Sequence, residues 1–317
     1  MNHLIVSFLV ALFAPNVLAL TTSELAIKSH GIILYNQHKA ISAIPLLVIA
    51  AKAGDHEAQY YLAESLRAKS RFMTPEAKYW YEAAALQDDL YAMIQLGRNG
   101  NDFCEASHEC EKSVKQPVEW LNQAKKLAQQ KADNGDAESM YLMYEITLED
   151  SWLERAANAG DVHAQYWMAV GYKQGDGFFL PWNRAKEVEK WFKLSAENGN
   201  PRSMMEYAAM LFEKGDIAGF RHWNEQAAMA GYAESVYGYG SYLAHEPDTY
   251  GFAYNPVKGY SLVSSLVVLD GGGGMQKNVE YKLPLISAKM TPSQISAAEE
   301  LTKSWDLTHP PLSSLKN

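Results

Sequence analysis

Apolar residues recur along this chain with a helical period, and the helical stretches fall into pairs divided by a repeated punctuation mark. Six segments align on Gly54, Asp88, Gly135, Gly160, Gly199 and Gly231. Three residues before each anchor stands alanine: Ala51, Ala85, Ala132, Ala157, Ala196 and Ala228. Four residues after it stands a small residue: Ala58, Ala92, Ser139, Ala164, Ser203 and Ser235. Eight before it are Trp80, Trp152, Trp191 and Trp223, with Leu46 and Leu127 in the other two units. Eight after it are Leu62, Leu96, Met143, Met168, Tyr207 and Tyr239. A glycine at the anchor supplies the left-handed backbone that stops one helix, and small neighbours let the next helix pack close. Bulky residues two turns away on either side fill the space between helices. Such a pair cannot bury its apolar face alone, so the pattern predicts a stack: an all-α, α/α solenoid of helix-pair repeats.

Anchor spacings are 34, 47, 25, 39 and 32 residues. The long interval holds an insertion around Arg98 to Gln116, and the short one leaves almost no linker. Thr74-Pro75-Glu76 marks a helix start, with proline in the first helical position behind a threonine cap. Residues 22–53 supply an opening pair, with a helix start at Lys39-Ala40. Past Gly231 the pattern degrades. Val257 to Leu269 reads as one more unit, with Leu262 in the tryptophan position and Asp270 as a poor anchor. Gly271 to Gly274 reads as a flexible joint, and Thr291-Pro292 opens a last helix to about Ser304. The expected division is a solenoid over residues 20–270 and, over 271–317, a degenerate repeat with a C-terminal capping helix.

The first nineteen residues change the picture of where the chain works. Leu4 to Ala14 is an apolar run too short to span a bilayer, followed by Pro15, Asn16 and then Val17-Leu18-Ala19. This reads as a signal peptide over residues 1–19, cut after Ala19, in preference to a buried N-terminal helix. It places the mature protein in the periplasm. No cysteine follows the run, so no lipid anchor is expected. The two cysteines of the chain, Cys104 and Cys110, then read as one short-loop disulfide in an oxidising compartment. A metal site would need more ligands than the nearby His108. The formal charge of −9 argues against nucleic acid, whose phosphates need a basic surface, and suits a basic protein partner.

The run Ala156-Ala157-Asn158-Ala159-Gly160-Asp161-Val162-His163-Ala164-Gln165-Tyr166 resembles the Sel-like (SEL-one-like) repeat family, relatives of the tetratricopeptide repeats. So does Gly175-Asp176-Gly177-Phe178, leading to Arg184-Ala185 and Trp191-Phe192-Lys193. The resemblance covers Lys39 to Gly240 well and the ends loosely. The chain departs from the family in Asp88, which stands for glycine, and in the Cys104 to Cys110 insertion. The resemblance implies a right-handed superhelix whose concave surface binds proteins.

Candidate chemistry is thin. Gly271 to Gly274 lacks the Lys-Ser/Thr of a phosphate loop, and no strand precedes Gly175 and Gly177 as a dinucleotide fingerprint requires. Neither His-Glu-x-x-His nor Gly-x-Ser-x-Gly occurs. His56 and His163 sit at helix starts, and carboxylates such as Glu187, Glu189 and Glu197 follow surface patterns. No catalytic residue, cofactor or metal is expected. Trp80, Trp152, Trp191 and Trp223 are expected to be structural. Aromatics outside the register stand as candidate partner anchors: Phe178, Phe179 and Trp182 in one loop, Tyr250, Phe252 and Tyr254 in another. Their alternative role is to plug the edge of the solenoid.

The expected function is protein binding. In architecture the chain looks like periplasmic immunity proteins that block phospholipase effectors delivered by type VI secretion. The alternatives are an envelope scaffold for a secretion or polysaccharide-export complex and, remotely, a β-lactam-hydrolysing repeat protein.

Overall fold

The computed structural model describes residues 20–37, 39–100, 114–177, 180–269, 275–309 and 312. The leader, the Cys104–Cys110 pair, Phe178, Phe179 and the joint at 270–274 lie outside the described residues, as does the side chain of Trp182.

Helices follow one another in antiparallel pairs. They are α1 (Thr22–Asn36), α2 (Ala40–Lys52), α3 (His56–Ser70), α4 (Pro75–Ala85), α5 (Leu90–Asn99), α6 (Pro117–Asp133), α7 (Ala137–Thr147) and α8 (Asp150–Asn158). There follow α9 (Val162–Gln174), α10 (Pro181–Glu197), α11 (Pro201–Glu213), α12 (Ile217–Met229), α13 (Ala233–Leu243), α14 (Pro256–Ser265), α15 (Met275–Ser287) and α16 (Pro292–Thr308). From α1 to α15 each helix packs on the next, and α16 packs back on α14. No helix among the described residues is long and apolar enough to cross a membrane.

The anchor turn explains the alternation. All six anchors are left-handed, with φ from 62° at Asp88 to 98° at Gly160. Each anchor N–H donates to the carbonyl of the alanine three residues before it, at 2.9–3.2 Å. The following N–H reaches five residues back, at 3.0–3.3 Å, so the end of the first helix is closed by two bonds. That following residue then starts the next helix. Asp55, Asp89, Asp136 and Asp161 accept from the backbone N–H three residues on at 2.6–2.9 Å, and Asn200 does so at 3.1 Å. One residue stops a helix and its neighbour begins another, which turns the chain back on itself in two residues. Gln59 and Gln165, in equivalent positions, brace the turn by donating to the carbonyls of Ala51 and Ala157 at 3.1 and 3.0 Å.

The register alanines and the small residues beyond the anchor are all buried. Trp80, Trp152 and Trp191 are buried, while Trp223 is half-buried. The core forms two clusters, one from Leu34 to Tyr207 together with Ala227 and one from Ala208 to Leu312, with Trp223 packed against both.

The ends of the stack meet. Gln37 beyond α1 donates from Nε2 to the Leu312 carbonyl at 2.8 Å, with Leu34, Leu269, Trp305 and Leu312 buried. A cavity of about 180 Å³ remains in this seam, lined by α1 residues and by the segment after α14 and the end of α16. The C-terminal segment therefore covers the first unit as well as the last.

Candidate partner-binding face

The face that offers most polar chemistry is built by the helices that follow the anchors, together with α1. Their side chains touch from unit to unit. The rings of Tyr35 and Tyr61 lie 5.3 Å apart, and those of Tyr60 and Tyr91 5.9 Å apart. Tyr91 Oη donates to Glu138 at 2.9 Å, and Arg98 pairs with Glu145 at 3.1 Å while also bonding its carbonyl. Tyr141 lies 6.2 Å from the His163 ring, and Lys173 pairs with Glu206 at 2.8 Å. Among the described residues no hydrogen bond, ion pair or ring contact links α2, α4, α6, α8 and α10 to one another. Units that touch on one side and splay on the other make a curve, and the touching side is its inner face.

The repeat puts these groups there. Positions three, six, seven and ten after the anchor fall on one side of the helix: Glu57, Tyr60, Tyr61 and Glu64 on α3, Tyr91 and Arg98 on α5, Glu138, Tyr141 and Glu145 on α7, His163, Tyr166 and Trp167 on α9. The capping aspartates add to this side, so the inner face holds an excess of carboxylates. Burial, then the neighbouring Glu138, pushes the Tyr91 phenol well above its ordinary range; burial and Glu145 do the same for Tyr141. Burial raises the Asp161 carboxyl although its capping bond opposes this. The phenols accordingly remain neutral hydrogen-bond donors at physiological pH. Glu57, Tyr91, Glu138 and Trp167 are exposed and form the open part of the face. Sequence reasoning missed these residues, although their signal was present: each stands at a fixed offset from its anchor on the side opposite the register alanines.

Of the two loops of candidate aromatics, the structure describes the one that holds Tyr250, Phe252 and Tyr254, and it takes two of these three into the core. Phe252 is buried, stacked 5.4 Å from Tyr242. Tyr250 is half-buried among Phe212, Phe220 and Tyr242, with ring distances of 5.3, 4.9 and 4.6 Å. Both plug the edge of the second core cluster, because a ring surrounded by three others gains more from burial than from solvent. Tyr254 is exposed, its ring 4.9 Å from His245. Nothing brings that loop onto the ladder of inner-face side chains.

No protein-family model matches the chain, and no curated protein matches it. Several solved structures are similar, two of which follow. One is a protective antigen present in uropathogenic Escherichia coli strains displaying an SLR fold, at 17% identity and a TM-score of 0.47; the overlap covers 93% of this chain and 65% of that one. The other is a Sel1 repeat protein from Oxalobacter formigenes, at 17% identity and a TM-score of 0.42, over 89% of this chain and 84% of that one. The described residues themselves build an α/α solenoid of helix-pair repeats. This chain spans about two thirds of the antigen's length. In this solenoid the left-handed anchor, the capping Asp or Asn that follows five of the six anchors, and the flanking small residues form the structural unit, while the inner-face positions vary from unit to unit.

Proposed function

We propose that the protein binds another protein on its inner face, and that it acts as an exported, periplasmic immunity protein neutralising a phospholipase effector of type VI secretion. The observation that carries protein binding is the inner ladder itself. Neutral tyrosine hydroxyls, carboxylates and an exposed indole at Trp167 line a continuous face, and large amphipathic rings of this kind dominate protein interfaces. The joined ends favour an inhibitor over a scaffold, since a closed stack bounds its inner face and suits one partner of one size. The acidic face fits an effector with a basic rim around its active site or membrane-facing surface. Export rests on the Leu4–Ala19 leader.

Titrating the protein into a phospholipase effector encoded beside its gene tests the reading. Lipid hydrolysis should stop near one equivalent. Trp167→Ala should weaken the complex by about 2 kcal/mol, roughly 30-fold, with helical content unchanged. Undiminished hydrolysis at one equivalent, together with co-purification of several envelope components, would replace this reading with the scaffold.

A further inference from the structure

The outer side of the first two units differs from that of all later ones. Nine residues before the anchor, units one and two carry Pro45 and Tyr79, while the later units carry Lys126, Ser151, Lys190 and His222. Thirteen before, unit one carries Ile41 where units three and five carry Asn122 and Lys186. Since the same register is polar elsewhere in the same fold, packing does not require apolar residues there. At these and neighbouring outer positions the first two units leave apolar side chains strongly exposed: Ile41 65%, Ile49 40%, Tyr79 61% and Leu86 61%. The Val114 N–H donates to Glu82 on α4 at 3.1 Å, which joins the entry to α6 to this strip and brings in Val114 and Val118, 57% and 61% exposed.

We propose that this strip on α2, α4 and the start of α6 is the contact face of a two-fold homodimer. Three features select a second copy as the occupant. The exposed apolar side chains offer roughly 700 Å² on each chain, close to the ~800 Å² per partner that a stable complex buries and above the ~300–600 Å² of the largest patch on a typical monomer. An isologous contact sets one patch against itself, so it must be apolar or locally balanced in charge. This strip is both, with Lys52, Lys78, Glu76 and Glu82 around it, in a chain whose charge of −9 repels a second copy elsewhere. It also lies opposite the inner ladder, so a dimer joined here keeps both inner faces free for partners. This last point rests on the function proposed above; the dimer itself does not.

Analytical ultracentrifugation of the purified protein from about 1 to 200 μM tests the dimer. The mass should rise from that of one chain toward twice that value. Tyr79→Lys and Ile41→Lys should each shift the half-association concentration upward at least tenfold, with unchanged circular dichroism and melting temperature. Lys126→Glu, at the same register in unit three, should leave it unchanged. If the lysine variants fail to fold, hydrogen exchange on the unaltered protein decides: exchange in α2 and α4 should slow as concentration rises. A monomer over the whole range overturns the proposal. So does a dimer indifferent to Tyr79 and Ile41, or a monomer that loses effector binding on Ile41→Lys, which would assign the strip to that partner. Inner-face variants that abolish effector binding but leave dimerisation intact would separate the two readings.

Discussion

Near each end of this molecule a glutamate, a tyrosine and a basic side chain meet, with opposite consequences. In the first units Glu64 accepts from Tyr35 at 3.0 Å, Tyr81 at 2.6 Å and Arg67 at 3.1 Å, while Arg67 Nε donates to Tyr81 Oη at 3.2 Å. The Glu64 side chain is 5% exposed. Near the other end Glu225 accepts from Tyr239 at 2.6 Å and from Lys258 at 3.4 Å, but its side chain is 41% exposed. The first set ties α1, α3 and α4 together, and the buried Glu64 carboxylate needs its partners because water cannot replace them. In the second the Glu225 carboxylate borders solvent, where water can substitute for Lys258. The difference is one of position: Glu64 points inward where three helices converge, Glu225 outward from α12 toward α14.

The largest expected effect follows from the tyrosines of the first region. Burial, and then the Glu64 carboxylate, raises the Tyr35, Tyr60 and Tyr81 phenols far above their ordinary range; burial and Glu57 do so for Tyr61. A phenol whose pKa is raised by folding holds its proton more tightly folded than unfolded. Its contribution is complete below about pH 10 and is lost as pH rises beyond it, by about 1.4 kcal/mol per pH unit for each such group. Urea melts between pH 9 and 11.5 should show a steep loss of stability, made shallower in Tyr81→Phe by about one tyrosine's share. A flat profile would mean that the cluster is open to water.

Next in size is the contrast between the two basic partners. Arg67→Met leaves Glu64 buried without its counter-charge and should cost about 3 kcal/mol in urea unfolding. Lys258→Met should cost less than about 1 kcal/mol. Equal losses would erase the distinction drawn between the regions. The smallest effect concerns the turn that all units share. Asp88 holds φ at +62° without being glycine, so Asp88→Gly should stabilise by about 1 kcal/mol. Gly160→Ala, at φ +98° with open space around the added carbon, should destabilise by a similar amount, about 1 kcal/mol, from backbone strain alone. Differential scanning calorimetry reads both.

Much of the fold was legible because its causes are local. An anchor, an alanine three before and a small residue four after describe two helices and the turn between them, all within a dozen residues. The capping Asp or Asn beside five of the six anchors was equally local and is found by asking where the first N–H groups of the second helix go. The site was less legible. Tyr250 and Phe252 look like surface anchors in a loop, and only the arrival of Phe220 and Tyr242 beside them makes them core. Tyr91 and Glu138 read as ordinary helical surface until neighbouring units bring them within 2.9 Å.

The sequence by itself determined the repeat: which residues stop helices, which start them and which must be small. Those are short-range constraints of backbone conformation and close packing, and they recur at every anchor. Only the tertiary structure decided the curvature that makes one helix set inner, the burial of Glu64, the apolar strip left facing outward and the joining of the ends. The bond from Gln37 to Leu312 spans 275 residues. Small rotations between successive units accumulate to bring those two groups together, and no local pattern encodes their sum.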